Sequence, residues 1–400
     1  MASSSMIIRL ACLLAALLSW GSVAAAQTGE AAPFVYLSRV SDPAYKPHEA
    51  YTGLVLRDRQ PPIAGAQTAL RESRVMGRAL GLTFELVEAQ VAEGETASAA
   101  IRRLSAAGQA SIFLLDLPLD DVEEAGLALA GEANLLLFNI RHPDERLRNE
   151  SCSPVLFHTV PSEAMLADAL AQLLQARQWT DVLMLVGPQP ADALRAAAFR
   201  ASAKKFGLSI EEERAFILGN DPREREQNNI ALLTGGGDYD VIFLADDLGE
   251  FGRYVPFQSY LPRPVIGSEG LSSSAWDWTW ERHGAPQLNQ RFDRVAERRM
   301  SDEDWAAWAA VRSVVEAMVR TKQTSAGPLR DFLRSPDLNL DLYKGVPGSF
   351  RPWDNQLRQP ILLHTHNAVV ALAPLEGFLH QGNKLDTLGQ DEPETACRMR

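Results

Sequence analysis

Short apolar runs alternate with stretches of helical period along most of this chain. Residues 34–40 (FVYLSRV), 84–89, 111–117 (SIFLLDL) and 134–140 (NLLLFNI) are of strand length with little polar interruption. Residues 64–81 between the first two carry Ala69, Leu70, Val75, Met76, Ala79 and Leu80 on one side of a helix. Residues 95–107 predict a second helix, ended by Gly108. Residues 120–130 predict a third, with Asp120 as its N-cap. Near-continuous apolar strands separated by helices imply a parallel sheet covered on both faces. Right-handed crossovers make such a sheet doubly wound.

A polar stretch at residues 141–153, followed by Pro154, interrupts the pattern, which then restarts. Ser162 caps a helix running to about residue 179, with Ala164, Leu166, Ala167, Leu170, Leu173 and Leu174 on its apolar side. A strand at 181–186 (DVLMLV), a helix at 191–206, a strand at 210–217, a helix at 224–233 and strands at 241–245 (VIFLA) and 264–266 follow. The last hundred residues depart from the alternation. They predict helices at 289–298, 302–322 and 328–334, a strand at 360–364 and an apolar run at 368–373. The fold class expected is α/β, with two doubly wound parallel-sheet domains joined by a hinge that the chain crosses several times. Residues 27–152 form the first domain, with part of 267–350 returning to it. Residues 153–266 form the second, 345–375 a late crossing with strands, and 376–400 a tail. The crossings are expected near residues 140–162, 267–290 and 345–360.

The N-terminus adds a compartment. Arg9 precedes a mostly apolar run, residues 10–23, too short to span a bilayer comfortably, and Ala24-Ala25-Ala26 offers a small-residue cleavage site. Residues 1–26 therefore read as a cleaved export signal, the mature chain starting at Gln27 and residing in the periplasm without membrane insertion. The full chain has 39 basic and 51 acidic residues, a net charge of −12. That balance speaks against nucleic acid, which asks for a basic face. Outside the leader the cysteines are Cys152 and Cys397. In an oxidising compartment they can bridge, or they can stay separate thiols.

Catalytic signatures do not emerge. The chain has no Gly-x-Ser-x-Gly, no His-Glu-x-x-His and no phosphate-binding Gly-x-x-x-x-Gly-Lys. Gly235-Gly236-Gly237 follows a helix and precedes a strand, the reverse of a nucleotide loop. His364 and His366 share a strand face but lack an obvious third metal ligand. No enzyme, cofactor or metal is expected. Ligands of open α/β sheets bind beyond the carboxyl ends of the strands. That rule selects Asp116, Pro118 and Arg141 in the first domain, and Gln189, Asp246 and Glu269 in the second. Trp276, Trp278 and Trp280 would share one face if extended, as a core stripe or as an aromatic wall in which Trp278 meets the ligand. Asp116 and Asp246 can equally serve as capping groups, and Arg141 as half of a salt bridge.

Four stretches carry a family likeness: AGAQTALRESRVMGRALG, LFHTVPSEAMLADALAQLLQARQWTDVLMLV, DEDWAAWAAVRSVVEAMV and GVPGSFRPWDNQLRQPILL. In this order they resemble the type I periplasmic binding proteins of the leucine/branched-chain amino-acid-binding family. The likeness covers nearly all of residues 34–375. It implies a solute-binding component of an ABC transporter, with a small-molecule ligand in the interdomain cleft and a membrane permease as partner. The opening VYLSRVSDPAYKPHEAYTGLVLRDRQPP resembles a subgroup associated with pyrroloquinoline-quinone-dependent alcohol dehydrogenase systems. An exported accessory or sensory protein of such a system, or an exported enzyme, is the alternative. Two departures stand out. The hydroxyl- and glycine-rich loops that hold an amino acid in the family are replaced here by residues 57–62 (RDRQPP) and 116–121 (DLPLDD).

Overall fold

The computed structural model describes residues 30–50, 53–108, 110–219 and 221–399. The expected leader and its cleavage site lie outside the described residues. The first lobe begins with β1 (Glu30–Arg39), a hairpin of β2 (His48–Glu49) and β3 (Val55–Arg57), and helix α1 (Ile63–Leu80). It continues through β4 (Leu82–Val91), α2 (Ala97–Ala106), β5 (Ile112–Asp116), α3 (Leu119–Ala128), β6 (Leu136–Asn139) and β7 (Leu156–His158). Its sheet has the order β4-β1-β5-β6-β7, parallel throughout. Every residue of β5 and β6 is buried, as expected where helices cover both faces.

The second lobe consists of α4 (Glu163–Arg177), β8 (Asp181–Val186), α5 (Pro190–Phe206), β9 (Ser209–Ala215), β10 (Val241–Ala245) and β11 (Val265–Gly267). Its sheet is also parallel, in the order β11-β10-β8-β9. Then come β12 (Ser272–Ser274), α6 (Ala285–Ala296), α7 (Asp302–Thr321), α8 (Ala326–Leu333), the pair β13 (Ser349–Phe350) and β14 (Leu357–Arg358), and strands β15 (Ile361–Thr365) and β16 (Ala368–Ala373). Strands β12, β15 and β16 form an antiparallel sheet.

The late helices belong to the first lobe. Helix α7 lies along α1, and its Trp305 and Trp308 are fully buried in the same core as Phe34, Leu114 and Phe138. Their approach requires Gly65, where a Cβ would fall 1.8 Å from the carbonyl oxygen of Asp304. Ile361, Leu363, Ala373 and Leu388 instead pack with α4 and β10 of the second lobe. The chain thus leaves the first lobe, returns to it and leaves again.

Buried amides join the first crossing to the last. Gln356 accepts from Arg148 Nε at 2.6 Å and donates to the carbonyl of Val160 at 3.1 Å. Asn355 donates to the carbonyl of Leu156 at 2.9 Å, and Gln359 to that of Thr159 at 3.0 Å. Lys344, buried against the Trp305 ring, donates to Gln359 at 2.7 Å. Burial pushes this lysine well below its ordinary range, with Asp302 opposing.

Several local expectations change. Strand β7 pairs with β6, so the first sheet extends past residue 153. The helix expected at 224–233 is broken into Arg225–Asn228 and Ile230–Leu233, because extended Asn229 caps the second piece through a bond from Leu232 N–H at 3.1 Å. Pro118, not Asp120, sits at the N-cap of α3, which places Asp120 and Asp121 in the first turn, where the helix dipole favours them. The tryptophans do not share a face. Their segment turns, which buries Trp276 and Trp280 in the core and leaves Trp278 37% exposed. His364 Nδ1 lies 3.3 Å from Asp277 Oδ2.

Cys152 and Cys397 are bonded, their Cα atoms 5.7 Å apart across a sequence separation of 245 residues. This bridge ties the tail to the loop before β7. Replacing both cysteines by Ser is expected to cost about 2–5 kcal/mol in urea unfolding, mostly by freeing the unfolded chain. An unchanged midpoint and slope would contradict this.

Candidate functional site

At the carboxyl edge of the first sheet, Asp116 ends β5 with no exposure to solvent. Its carboxylate accepts from the hydroxyls of Tyr36 and Tyr45, the latter at 2.5 Å, and from Arg141 Nη1 at 3.1 Å. The same guanidinium donates to Asp42 at 2.6 Å and lies 5.4 Å from the centre of the Tyr45 ring. Burial and the Asp116 charge both push the two tyrosines far above the ordinary phenol range, so they remain donors. Burial is the largest influence on Asp42 and would raise it; the hydrogen bonds from Arg141 and the Ala44 N–H and the Arg141 charge together outweigh burial and hold the carboxyl below its usual value. One arginine therefore serves two carboxylates, and this edge is internally satisfied.

Beside it, His142 Nε2 lies 2.6 Å from the carbonyl oxygen of Leu117. Burial pushes its pKa down to about 4, against the Leu117 contact and with the help of the Arg141 charge.

At the carboxyl edge of the second sheet, Asp246 follows β10. Its carboxylate accepts from the backbone N–H of Gly249 at 3.1 Å and of Gly252 at 2.6 Å. Gly252 permits this approach, since a Cβ there would stand 2.7 Å from Leu244 Cδ2 and 3.0 Å from Asp246 Oδ2. Glu269 packs against Gly252, and burial raises its carboxyl. Gln189 begins α5, its N–H donating to Asp192 at 2.9 Å.

The hairpin β2–β3 leaves the first lobe and reaches the second. Arg57 Nη1 bonds Asp247 Oδ2 at 2.5 Å, and His48 Nε2 stands 3.8 Å from Glu250. It roofs a cavity of about 310 Å³. Leu56, Leu166, Leu170 and Phe243 supply the apolar wall. Arg57, Glu163, Arg195, Asp246 and Asp247 supply charge, with hydroxyls from Ser268, Ser272 and Ser273. A second cavity of about 240 Å³ is lined by Tyr45, Arg59, Arg141, Arg299 and Glu303.

Of the residues selected from sequence, Asp246 lines the roofed cavity and Arg141 the second one. Asp116, Pro118, Gln189, Glu269 and Trp278 line neither, and the Trp278 ring is covered by Arg299, 3.4 Å from its centre. Sequence reasoning missed Arg57, Glu163 and Arg195. Arg195 lies on a helix among other charges, and nothing in its spacing marks it.

No protein-family model matches the chain, and no curated protein sequence matches it. Solved structures do. A branched-chain amino acid ABC transporter periplasmic ligand-binding protein from Burkholderia xenovorans is similar with a TM-score of 0.68 at 13% identity, over 92% of this chain and 99% of that one. An ABC transporter substrate-binding protein from Desulfitobacterium hafniense, in complex with Leu, gives 0.63 at 16% identity, over 86% and 100%. An ABC transporter solute-binding protein from R. palustris, in complex with benzoate, gives 0.62 at 12%, over 92% and 99%. The two parallel-sheet lobes are therefore the fold of the leucine-binding type of periplasmic binding protein.

Replacing Asp246 with Ala leaves two backbone donors unsatisfied and is expected to destabilise the protein by about 1–3 kcal/mol, read from denaturant unfolding. An unfolded histidine ionises near 6.5, whereas folded His142 stays neutral until about 4. As pH falls through that window the unfolded state takes the proton first, so stability is present above pH 6.5 and is lost towards pH 4. A His142→Gln variant should show a flatter stability profile over that range, and an unchanged slope would refute this source.

Proposed function

We propose that this protein is the exported solute-binding component of an ABC-type transport system, which closes its two lobes over a small ligand and presents the closed form to a membrane permease. The observation that carries the reading is the roofed cavity. Its floor comes from the second lobe, and its cover, Leu56 and Arg57, from the hairpin of the first. A binding site built from both lobes, joined by several chain crossings, is suited to hinge closure around a ligand. The likeness of the fold to ABC transporter binding proteins supports the same reading, as does the expected leader. The protein acts by binding and release, without turnover.

The link to quinoprotein alcohol oxidation rests on the opening segment alone. That segment supplies Asp42, Tyr45, His48, Arg57 and Arg59, the residues of the ion cluster and the hairpin. The internal occupation of Asp116 and Arg141 supports a ligand other than one held by the amino-acid loops of the resembled family.

Native mass spectrometry of protein purified from its own periplasm is expected to show a chain beginning at Gln27 with a bound small molecule. Small-angle scattering before and after its removal should show a more open form without it. Protein that carries no ligand, responds to no solute in a broad panel and keeps one scattering profile throughout would overturn the proposal.

A further inference from the structure

The charges around the roofed cavity are unequally matched. Asp247 is held by Arg57, and Asp246 by two backbone N–H groups. That leaves Arg195 and Glu163. Arg195 projects from α5, with its side chain 28% exposed. Its Nη1 reaches Ser268 Oγ at 3.4 Å, and its Nη2 stands 3.9 Å from Glu163 Oε1, beyond hydrogen-bond distance. Other arginines in the protein are held more closely: Arg57 has a carboxylate oxygen at 2.5 Å, Arg141 at 2.6 Å and Arg351 at 2.9 Å.

Glu163 is the counterpart. It is 5% exposed, borders the cavity, and its carboxyl takes no hydrogen bond among the described residues. Burial is the largest influence on it and favours the protonated form; Arg195 opposes this, and Glu145 and Asp247 add to it. The hydroxyls of Ser272 and Ser273 also form no hydrogen bond among the described residues, although both border the cavity. A loosely held guanidinium and spare hydroxyls suit an incoming anion. The rest of the wall is apolar, and about 310 Å³ is at the small end of ligand cavities.

We propose that the roofed cavity binds a small monocarboxylate with a short apolar body and no ammonium group. Its carboxylate sits on Arg195 and the serine hydroxyls, and its body lies against Leu166, Leu170, Phe243 and the hairpin's Leu56. This deepens the solute-binding reading and rests on it. An ammonium group is disfavoured because Asp246 and Asp247 are already engaged and Arg195 repels a cation placed beside Glu163.

Three probes with the same isobutyl body separate the chemistries: 4-methylpentanoate, leucine and 3-methylbutylamine, titrated calorimetrically into the ligand-stripped full protein. The acid should bind, with leucine and the amine at least about tenfold weaker. Arg195→Gln should weaken binding of the acid by about tenfold or more, the scale of one charge-assisted hydrogen bond, while Arg195→Lys retains part of it. Both variants should melt within a few degrees of the parent, since Arg195 makes only loose contacts. Leucine or the amine binding as tightly as the acid would overturn the proposal, as would an Arg195→Gln variant of unchanged affinity, or no binding by any of the three. Failure here is distinguishable from failure of the broader reading. A co-purified molecule that is not a carboxylate rejects this ligand class and keeps the solute receptor. A protein that is empty and unresponsive to every solute rejects both.

Discussion

Arg141 is a positive charge brought to the edge of a buried sheet, and much of the first lobe is arranged around that constraint. A guanidinium removed from water needs carboxylates in good geometry, and the removal of one partner from such a cluster typically costs about 3–5 kcal/mol. Asp116 arrives from the end of β5 and Asp42 from the loop after β1. Because Asp42 is pinned, Tyr45 is drawn over the guanidinium and donates to Asp116. The chain that leaves this cluster is the hairpin. Its course over the second lobe therefore starts from an electrostatic requirement inside the first.

The crossings answer to a different constraint. Three chain segments pass between the lobes, and their backbone groups cannot all pair within a sheet. Asn355, Gln356 and Gln359 fill the gap, each fully buried and each bonded to a carbonyl of the segment after β6 or β7. Amide side chains can donate and accept at once, which makes them suited to join two strands that separate at a hinge. The bridge between Cys152 and Cys397 fastens the tail to the same region. The base of the cleft is thus restrained by a covalent bridge and a set of buried amides, while its mouth is held by a few partly buried ion pairs such as Arg57 with Asp247. Fewer bonds join the lobes at the mouth than at the base, so the mouth is the natural place for movement.

The segment that sets this chain apart from the family it resembles is also the one that roofs the cavity. Residues 57–62, which the resemblance sets in the place of a hydroxyl-rich loop, carry Arg57 to Asp247. The first lobe contributes a lid and a neutralised ion cluster, while Arg195, Glu163 and the serines of the second lobe offer the open polar groups. In the proposed reading, the second lobe supplies most of the groups that meet the ligand.

The local pattern of the sequence determined the strands of both sheets except β7, and most of their helices, because fully buried parallel strands leave apolar runs that nothing else explains. It also identified Asp246 and Arg141 as groups at the carboxyl edges, since parallel connectivity fixes where those edges are. It failed where one residue decides between geometries: Asn229 breaking a helix, Pro118 displacing Asp120 from a cap, a turn sending Trp278 away from Trp276 and Trp280. Tertiary structure alone decided which charges are spent on each other. Asp116 with Arg141 and Arg57 with Asp247 are 25 and 190 residues apart, and no periodicity encodes such a pairing. Whether an arginine is a structural strut or an open hand depends on what the fold places within 3 Å of it, and that is a property of the packed chain.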